Sequence, residues 1–263
     1  SFALFIILSG FSGLRTLQSS FLNASDPDIK ITPVKGKTFI FDSKIQDILK
    51  TNSNIIQYSK IIEERVFLKH KEKNHIANIK GVDTNYVNTV SIIPSINLGS
   101  WIDPRLKNAA VIGNGIAYKL SLGVFSFGES LEMYVPKPGK GFINPNNAFR
   151  STKVQITGTY KGIEEFENKY IFTNLSLAQK LLNYTDNQIS AISIKLSNPK
   201  NAPSFSHEIQ KELGSSFKTQ TREQLNTLYY KVVNTENFVT YLIFTLIVII
   251  ALFNVIGAII MMI

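Results

Sequence analysis

From Phe238 to Ile263 the chain runs 26 residues without an Asp, Glu, Lys, Arg or His, and this stretch limits the fold more than any other. As a helix it measures about 39 Å, against a bilayer hydrocarbon core of about 30 Å. A core helix of a soluble protein rarely stays apolar beyond about 14 residues, so the stretch reads as a membrane span with some tilt. Residues 1–14, SFALFIILSGFSGL, are also uncharged. They carry neither the basic leader nor the small-residue cleavage site of a signal peptide. The reading is a first transmembrane helix over residues 1–22, truncated at its start, and a second over 238–263, truncated at its end.

All 28 basic and 19 acidic residues fall between these two uncharged stretches. They define a soluble segment that must lie wholly on one side of the membrane, and a segment this long is not oriented by its charge. The formal net charge of +9 is spread along the segment. It forms no basic stripe with interleaved aromatics, so nucleic acid is not an expected partner. The absence of Cys rules out disulfides, thiolate metal sites and a thiol nucleophile.

Within the soluble segment, DIKITP reads as a strand, and FDSKIQDILKTN as a short helix capped by Asp42 or Ser43 with Ile45, Ile48 and Leu49 on one face. IIQYSKIIEERVFLKH and HIANIKGVD read as strands joined at the polar KEKN turn. AAVIGNGIAYKLSL gives strand, glycine turn and helix; SLEMYVPK and KVQITGTYK give two further strands. Between the last two sits PKPGKGFINPNNAF, too long for a tight hairpin and too apolar for a plain linker, which marks it as a binding loop. KYIFTNLSLAQKLLN is a strand running into a helix, ISAISIKLSN a strand, and APSFSHEIQKELG a helix starting near Ser204 or Ser206. TREQ, Thr221–Gln224, has capping-box spacing. It predicts one helix over 221–263, about 64 Å long and about 25 Å of it outside the membrane, a stiff lever between soluble segment and bilayer.

Enzyme chemistry finds little support. VIGNGIAY has the first two glycines of a dinucleotide turn, but Tyr118 stands where the third belongs, so a structural turn is the better reading and no cofactor is expected. There is no G-x-x-x-x-G-K-[ST] and no G-x-S-x-G, so any ATP is hydrolysed by a partner. His70, His75 and His207 read as surface residues rather than a metal site. Glu129 in FGES has no partner acid in view. Asn254 within the second span is expected to face protein, and Gly10, Gly13 and Gly257 permit close helix approach.

The order of LSGFSGL, DPDIKITPVKGKTF, VIGNGIAYKLSLGVFSFGESLEMYVPKPGK, ITGTYK and TREQLNTLYY leading to ALFNVIGAIIMMI resembles the lipoprotein-releasing ABC transporter permeases of LolC and LolE type, in the FtsX-like and MacB-like superfamily. The resemblance implies an α+β fold in the periplasm of a bacterial inner-membrane, multi-pass protein. Its bipartite domain, between two transmembrane helices, would have a membrane-proximal, porter-like α/β part (23–99 and 204–237) and a mostly β inserted part (100–203). A hook-like loop over 136–150 would dock a periplasmic carrier chaperone, as in the LolC branch, through Pro138, Phe142, Ile143, Pro145 and Phe149. A groove for lipoprotein acyl chains would be walled by Phe5, Leu8, Phe11, Phe244, Ile247, Phe253 and Asn254. The partners implied are a cytoplasmic ATPase subunit, a second permease subunit, the chaperone, the lipoprotein substrate and membrane lipid. A MacB-like efflux permease and a membrane sensor with an extracytoplasmic ligand domain are the competing expectations.

Overall fold

The computed structural model describes Ser9, Gly13 and residues 25–124, 128–137 and 148–262. Phe5, Leu8 and Phe11 of the expected first span, and Pro138, Phe142, Ile143 and Pro145 of the hook-like loop, lie outside the described residues. The chain divides into two compact units, residues 1–222 and 223–263.

The first unit opens with β1 (Ile29–Pro33), β2 (Phe39–Ile40) and α1 (Ser43–Thr51), whose cap is Asp42: its Oδ1 accepts the Ile45 amide at 2.9 Å. Then come β3 (Ile55–His70), β4 (Lys73–Val82), α2 (Tyr86–Thr89), β5 (Ile96–Gly99), β6 (Ala109–Gly113) and α3 (Asn114–Leu120). The second half holds β7 (Leu131–Pro136), β8 (Phe149–Tyr160), α4 (Glu164–Lys169), β9 (Tyr170–Asn174), α5 (Leu175–Leu182), β10 (Gln188–Ile189), β11 (Ala191–Leu196), α6 (Ala202–Leu213) and β12 (Phe217–Thr221). Helix α6 starts before the expected serines because Pro203 sits in its first turn, where a fixed φ and a missing N–H cost nothing.

β3 joins two arrangements of strands. Its first half continues the open antiparallel run β12–β1–β11–β3. Its second half belongs to a ring: β3 pairs β4, β4 pairs β9 in parallel, β9 pairs β6, β6 pairs β8 in parallel, β8 pairs β7, and β7 returns to β3 at Phe67–Lys69. Closing on itself removes the exposed edges these six strands would otherwise present. β5 adds to β8 outside the ring.

Alternation divides the strand residues between two cores. Ile62, Val66, Leu68, Ile79, Ala110, Ile112, Met133 and Ile171 enter one, while Ile61, Val82, Ala109, Val111 and Phe172 enter the other. The second core is aromatic: Phe172 lies 5.1 Å from Trp101, 5.4 Å from Tyr160 and 5.8 Å from Tyr86, ring centre to ring centre.

The second unit contains most of α7 (Arg222–Leu225) and all of α8 (Thr227–Met262). The uninterrupted helix expected from Thr221 is broken at Asn226. Its carbonyl accepts the Tyr230 amide at 3.1 Å and so starts α8 afresh, while Thr227 Oγ1 donates back to the Gln224 carbonyl at 2.9 Å. Asn and Thr compete with the helix for backbone partners, which explains the break. With 36 residues α8 is long and apolar enough to cross a membrane, and none of it is buried. The hydroxyls of Thr240 and Thr245 donate to the carbonyls four residues back, each at 2.8 Å, which keeps them satisfied without water.

Candidate functional site

The hook-like segment grows out of a strand pair. β7 and β8 are antiparallel with Pro136 opposite Phe149, and the Lys137 amide donates to the Ala148 carbonyl at 2.9 Å beyond them. Phe149, expected in the loop, is therefore the first residue of β8, and it is 54% exposed. Its ring meets Tyr134 edge-on at 6.5 Å, and Tyr134 meets Phe67 at 6.3 Å, so three aromatics line the base of the hairpin. Tyr134 donates to Glu132 Oε2 at 2.5 Å and Lys153 approaches Oε1 at 3.1 Å. The Tyr134 hydrogen bond, and then that of Lys153, hold the Glu132 carboxyl below its ordinary range.

On α8, Phe244, Ile247, Phe253 and Asn254 are all exposed. At 3.6 residues per turn, Phe244, Ile247 and Asn254 share one side of the helix, whereas Phe253 falls about 180° from Phe244. A single helix face therefore presents three of these four residues.

A buried ion pair ties the residue before β1 to the residue after β12. Arg222 Nη2 donates to Asp28 Oδ1 at 2.9 Å, with Asp28 only 5% exposed. Asp28 Oδ2 accepts the Leu196 amide at 2.9 Å, and the guanidinium also donates to the Asp26 carbonyl. One side chain thus holds together the start of β1, the end of β11 and the end of β12.

A second charged network crosses the sheet. Lys30 on β1 meets Glu63 on β3 at 3.1 Å, and Lys80 on β4 lies over the Tyr170, Phe166 and Phe172 rings at 4.4, 5.6 and 5.6 Å. Burial alone pushes the Glu63 carboxyl up, but Lys30 and Lys80, with hydrogen bonds from Lys30 and Tyr170, bring it down to about 2. Because this lies below the unfolded value, Glu63 stabilises the fold above about pH 4.5 and stops doing so as the pH falls toward 2. With a fifth of the side chain exposed, the loss should be about 2–3 kcal/mol. Denaturation midpoints followed between pH 7 and pH 3 should fall more steeply in the parent chain than in Glu63→Gln; equal slopes would remove Glu63 as the cause.

The histidines separate. His207 is exposed, as expected, but His70 is only 4% exposed. Its Nδ1 lies 3.3 Å from the Ser130 carbonyl and its Nε2 lies 3.1 Å from Glu129 Oε2, a contact too poorly aligned for a full hydrogen bond. Lys71 also binds Glu129, and these contacts hold its carboxyl below the ordinary range, the Lys71 hydrogen bond first. His75 Nε2 lies 2.6 Å from the Asn168 carbonyl. Among the described residues no three His, Cys, Asp or Glu gather to hold a metal. At the glycine turn, a Cβ on Gly113 would stand 2.0 Å from the Glu167 carbonyl oxygen, and one on Gly115 would stand 2.5 Å from Asn168 Oδ1. Those glycines seat α4 against the strand-to-helix turn, which is a packing role.

No family model matches the chain. Solved structures share its fold, two of them as follows. The periplasmic region of MacB from Actinobacillus actinomycetemcomitans aligns at a TM-score of 0.51 and 13% identity, covering 81% of this chain and 97% of that one. The extracellular domain of the ABC-type transporter YknZ from Gram-positive bacteria gives 0.51 and 11%, covering 73% and 99%. The mixed α/β fold is thus that of extracytoplasmic domains of MacB-type ABC permeases. In sequence, the chain is 22% identical over 216 residues to the lipoprotein-releasing system transmembrane protein LolE of Haemophilus influenzae, covering 81% of this chain and 50% of that protein. These likenesses support the resemblance to permeases of the LolC/LolE, FtsX-like and MacB-like group, and the chain spans about half the length of the curated relative it matches.

Proposed function

We propose that the chain is part of an ABC transporter permease that extracts lipoproteins from the bacterial inner membrane and delivers them to a periplasmic carrier chaperone. The observation that carries the reading is the match to LolE along 81% of the chain. The β7–β8 hairpin, with pairing that continues to Lys137 and Ala148, supports it by giving the apolar PKPGKGFINPNNAF segment a rigid stem.

In this mechanism the chain performs no covalent chemistry. ATP is hydrolysed in a separate cytoplasmic subunit, and a second permease subunit faces α8 across an acyl-chain groove that Phe244, Ile247 and Asn254 help to wall. Movement of the helices reaches the periplasmic domain through the Asn226 junction, and the lipoprotein passes to a carrier held by Phe142, Ile143 and neighbouring loop residues. The membrane-proximal part, 23–99 and 204–237, would carry β1 to β5 and β12, and the inserted part, 100–203, would carry β6 to β11. A MacB-like efflux permease is the second reading, favoured by the fold match at a TM-score of 0.51. In spheroplasts carrying the complete transporter, Phe142→Ser with Ile143→Ser should abolish carrier-dependent lipoprotein release while leaving ATP turnover intact. Unchanged release would reject the hook.

A further inference from the structure

The sheet is split along one edge of β3. β11 pairs with β3 as far as Ile61, and β7 takes over only at Phe67. Within the gap the Glu63 amide and carbonyl are occupied by the Ser190 hydroxyl, at 3.1 and 3.4 Å. The Arg65 amide donates to the carboxylate of its neighbour Glu64 at 3.0 Å instead of to a strand. A slot of about 600 Å³ opens there, within the range of about 300–1,000 Å³ usual for small-molecule sites.

The slot joins two kinds of surface. Its walls include Phe67, Tyr134, Val135, Phe149 and Leu182. Its polar lining is Lys37, Arg65, Lys137, Arg150 and Glu64, four cations against one anion. Lys37 and Glu64 neutralise each other at 2.8 Å, and Arg150 Nη1 donates to the uncharged Leu182 carbonyl at 3.3 Å. The guanidinium charges of Arg65 and Arg150 therefore lie beside the apolar lining residues.

We propose that this slot binds the acyl chain of an anionic phospholipid, with the head group held by Arg65 and Arg150. An apolar trough edged with cations complements an anionic amphiphile on both counts. The same chain carries α8, whose 36 residues are exposed and apolar enough for a bilayer, so phospholipid is the amphiphile at hand. An extended peptide suits the slot less well. Strand addition needs a run of open backbone groups, and with Glu63 occupied by Ser190 and the Arg65 amide by Glu64 the gap offers no such run. The proposal is independent of which cargo the permease releases.

The test is photolabelling of the full chain in nanodiscs with a diazirine-bearing lysophosphatidylglycerol, compared with the lysophosphatidylcholine of the same chain. The expected result is adducts on peptides containing Tyr134, Phe149 or Leu182, about tenfold stronger with the anionic lipid. Arg65→Glu with Arg150→Glu should lose these adducts, Arg65→Lys should keep them, and labelling of α8 should be unchanged and so report intact, inserted protein. Labelling confined to α8, equal labelling by the two lipids, or adducts that survive the charge reversal would each overturn the proposal, as would protection of the slot by a soluble protein partner but not by lipid.

Discussion

Arg222→Met should destabilise the first unit by about 2–3 kcal/mol, which for a unit of this size lowers the melting temperature by roughly 5–10 °C. The cause is the charge left behind. Asp28 is 5% exposed, and without the guanidinium its carboxylate keeps the Leu196 amide and loses the ion pair. Breaking a fully buried pair costs about 3–5 kcal/mol, and the 22% exposure of the Arg222 side chain brings the expectation somewhat below that range. Asp28→Asn combined with Arg222→Met should recover part of the loss, because neither charge is then stranded. Hydrogen exchange should quicken first in β1 and β12. An Arg222→Met chain as stable as its parent would mean that the pair is solvated rather than buried.

Phe172→Ala should cost more, about 3–5 kcal/mol. Its ring is fully buried between Tyr86, Trp101, Tyr160 and Phe166, and Lys80 lies over it at 5.6 Å. Removal leaves a cavity in the centre of the second core, and the β9 backbone, paired on both sides by β4 and β6, cannot collapse into it. The chain's one Trp, Trp101, is in contact with that ring, so its fluorescence reports unfolding directly. A loss under about 1 kcal/mol would show that the aromatic core repacks freely.

Local signals made much of this architecture readable. Alternation in IIQYSKIIEERVFLKH and a polar turn gave the β3–β4 hairpin, whose turn residue Lys71 takes a φ of 53°. Strand–glycine–helix order gave β6 and α3, and the uncharged run gave the apolar part of α8. The ring was not readable, since parallel β4–β9 and β6–β8 pairing and the return of β7 to β3 join distant segments with no local mark. The same holds for Asp28 and Arg222, which are 194 residues apart. Asp28 reads as a turn residue and Arg222 as the second residue of a capping box. His70 looks solvent-facing between Lys69 and Lys71, yet strand alternation turns it inward beside Leu68, toward Ser130 and Glu129. The helix break at Asn226 had a visible cause in Asn226-Thr227, which the capping box at Thr221 obscured.

The most direct test of lipoprotein hand-over is site-specific photocrosslinking from Phe142 in intact cells. The proposed function predicts capture of a small soluble periplasmic carrier of lipoproteins, with crosslinking from exposed Phe149 at the hairpin stem weaker. Capture of an efflux adaptor, or of no protein while the chain is expressed and folded, would contradict it and move the assignment to the MacB-like reading.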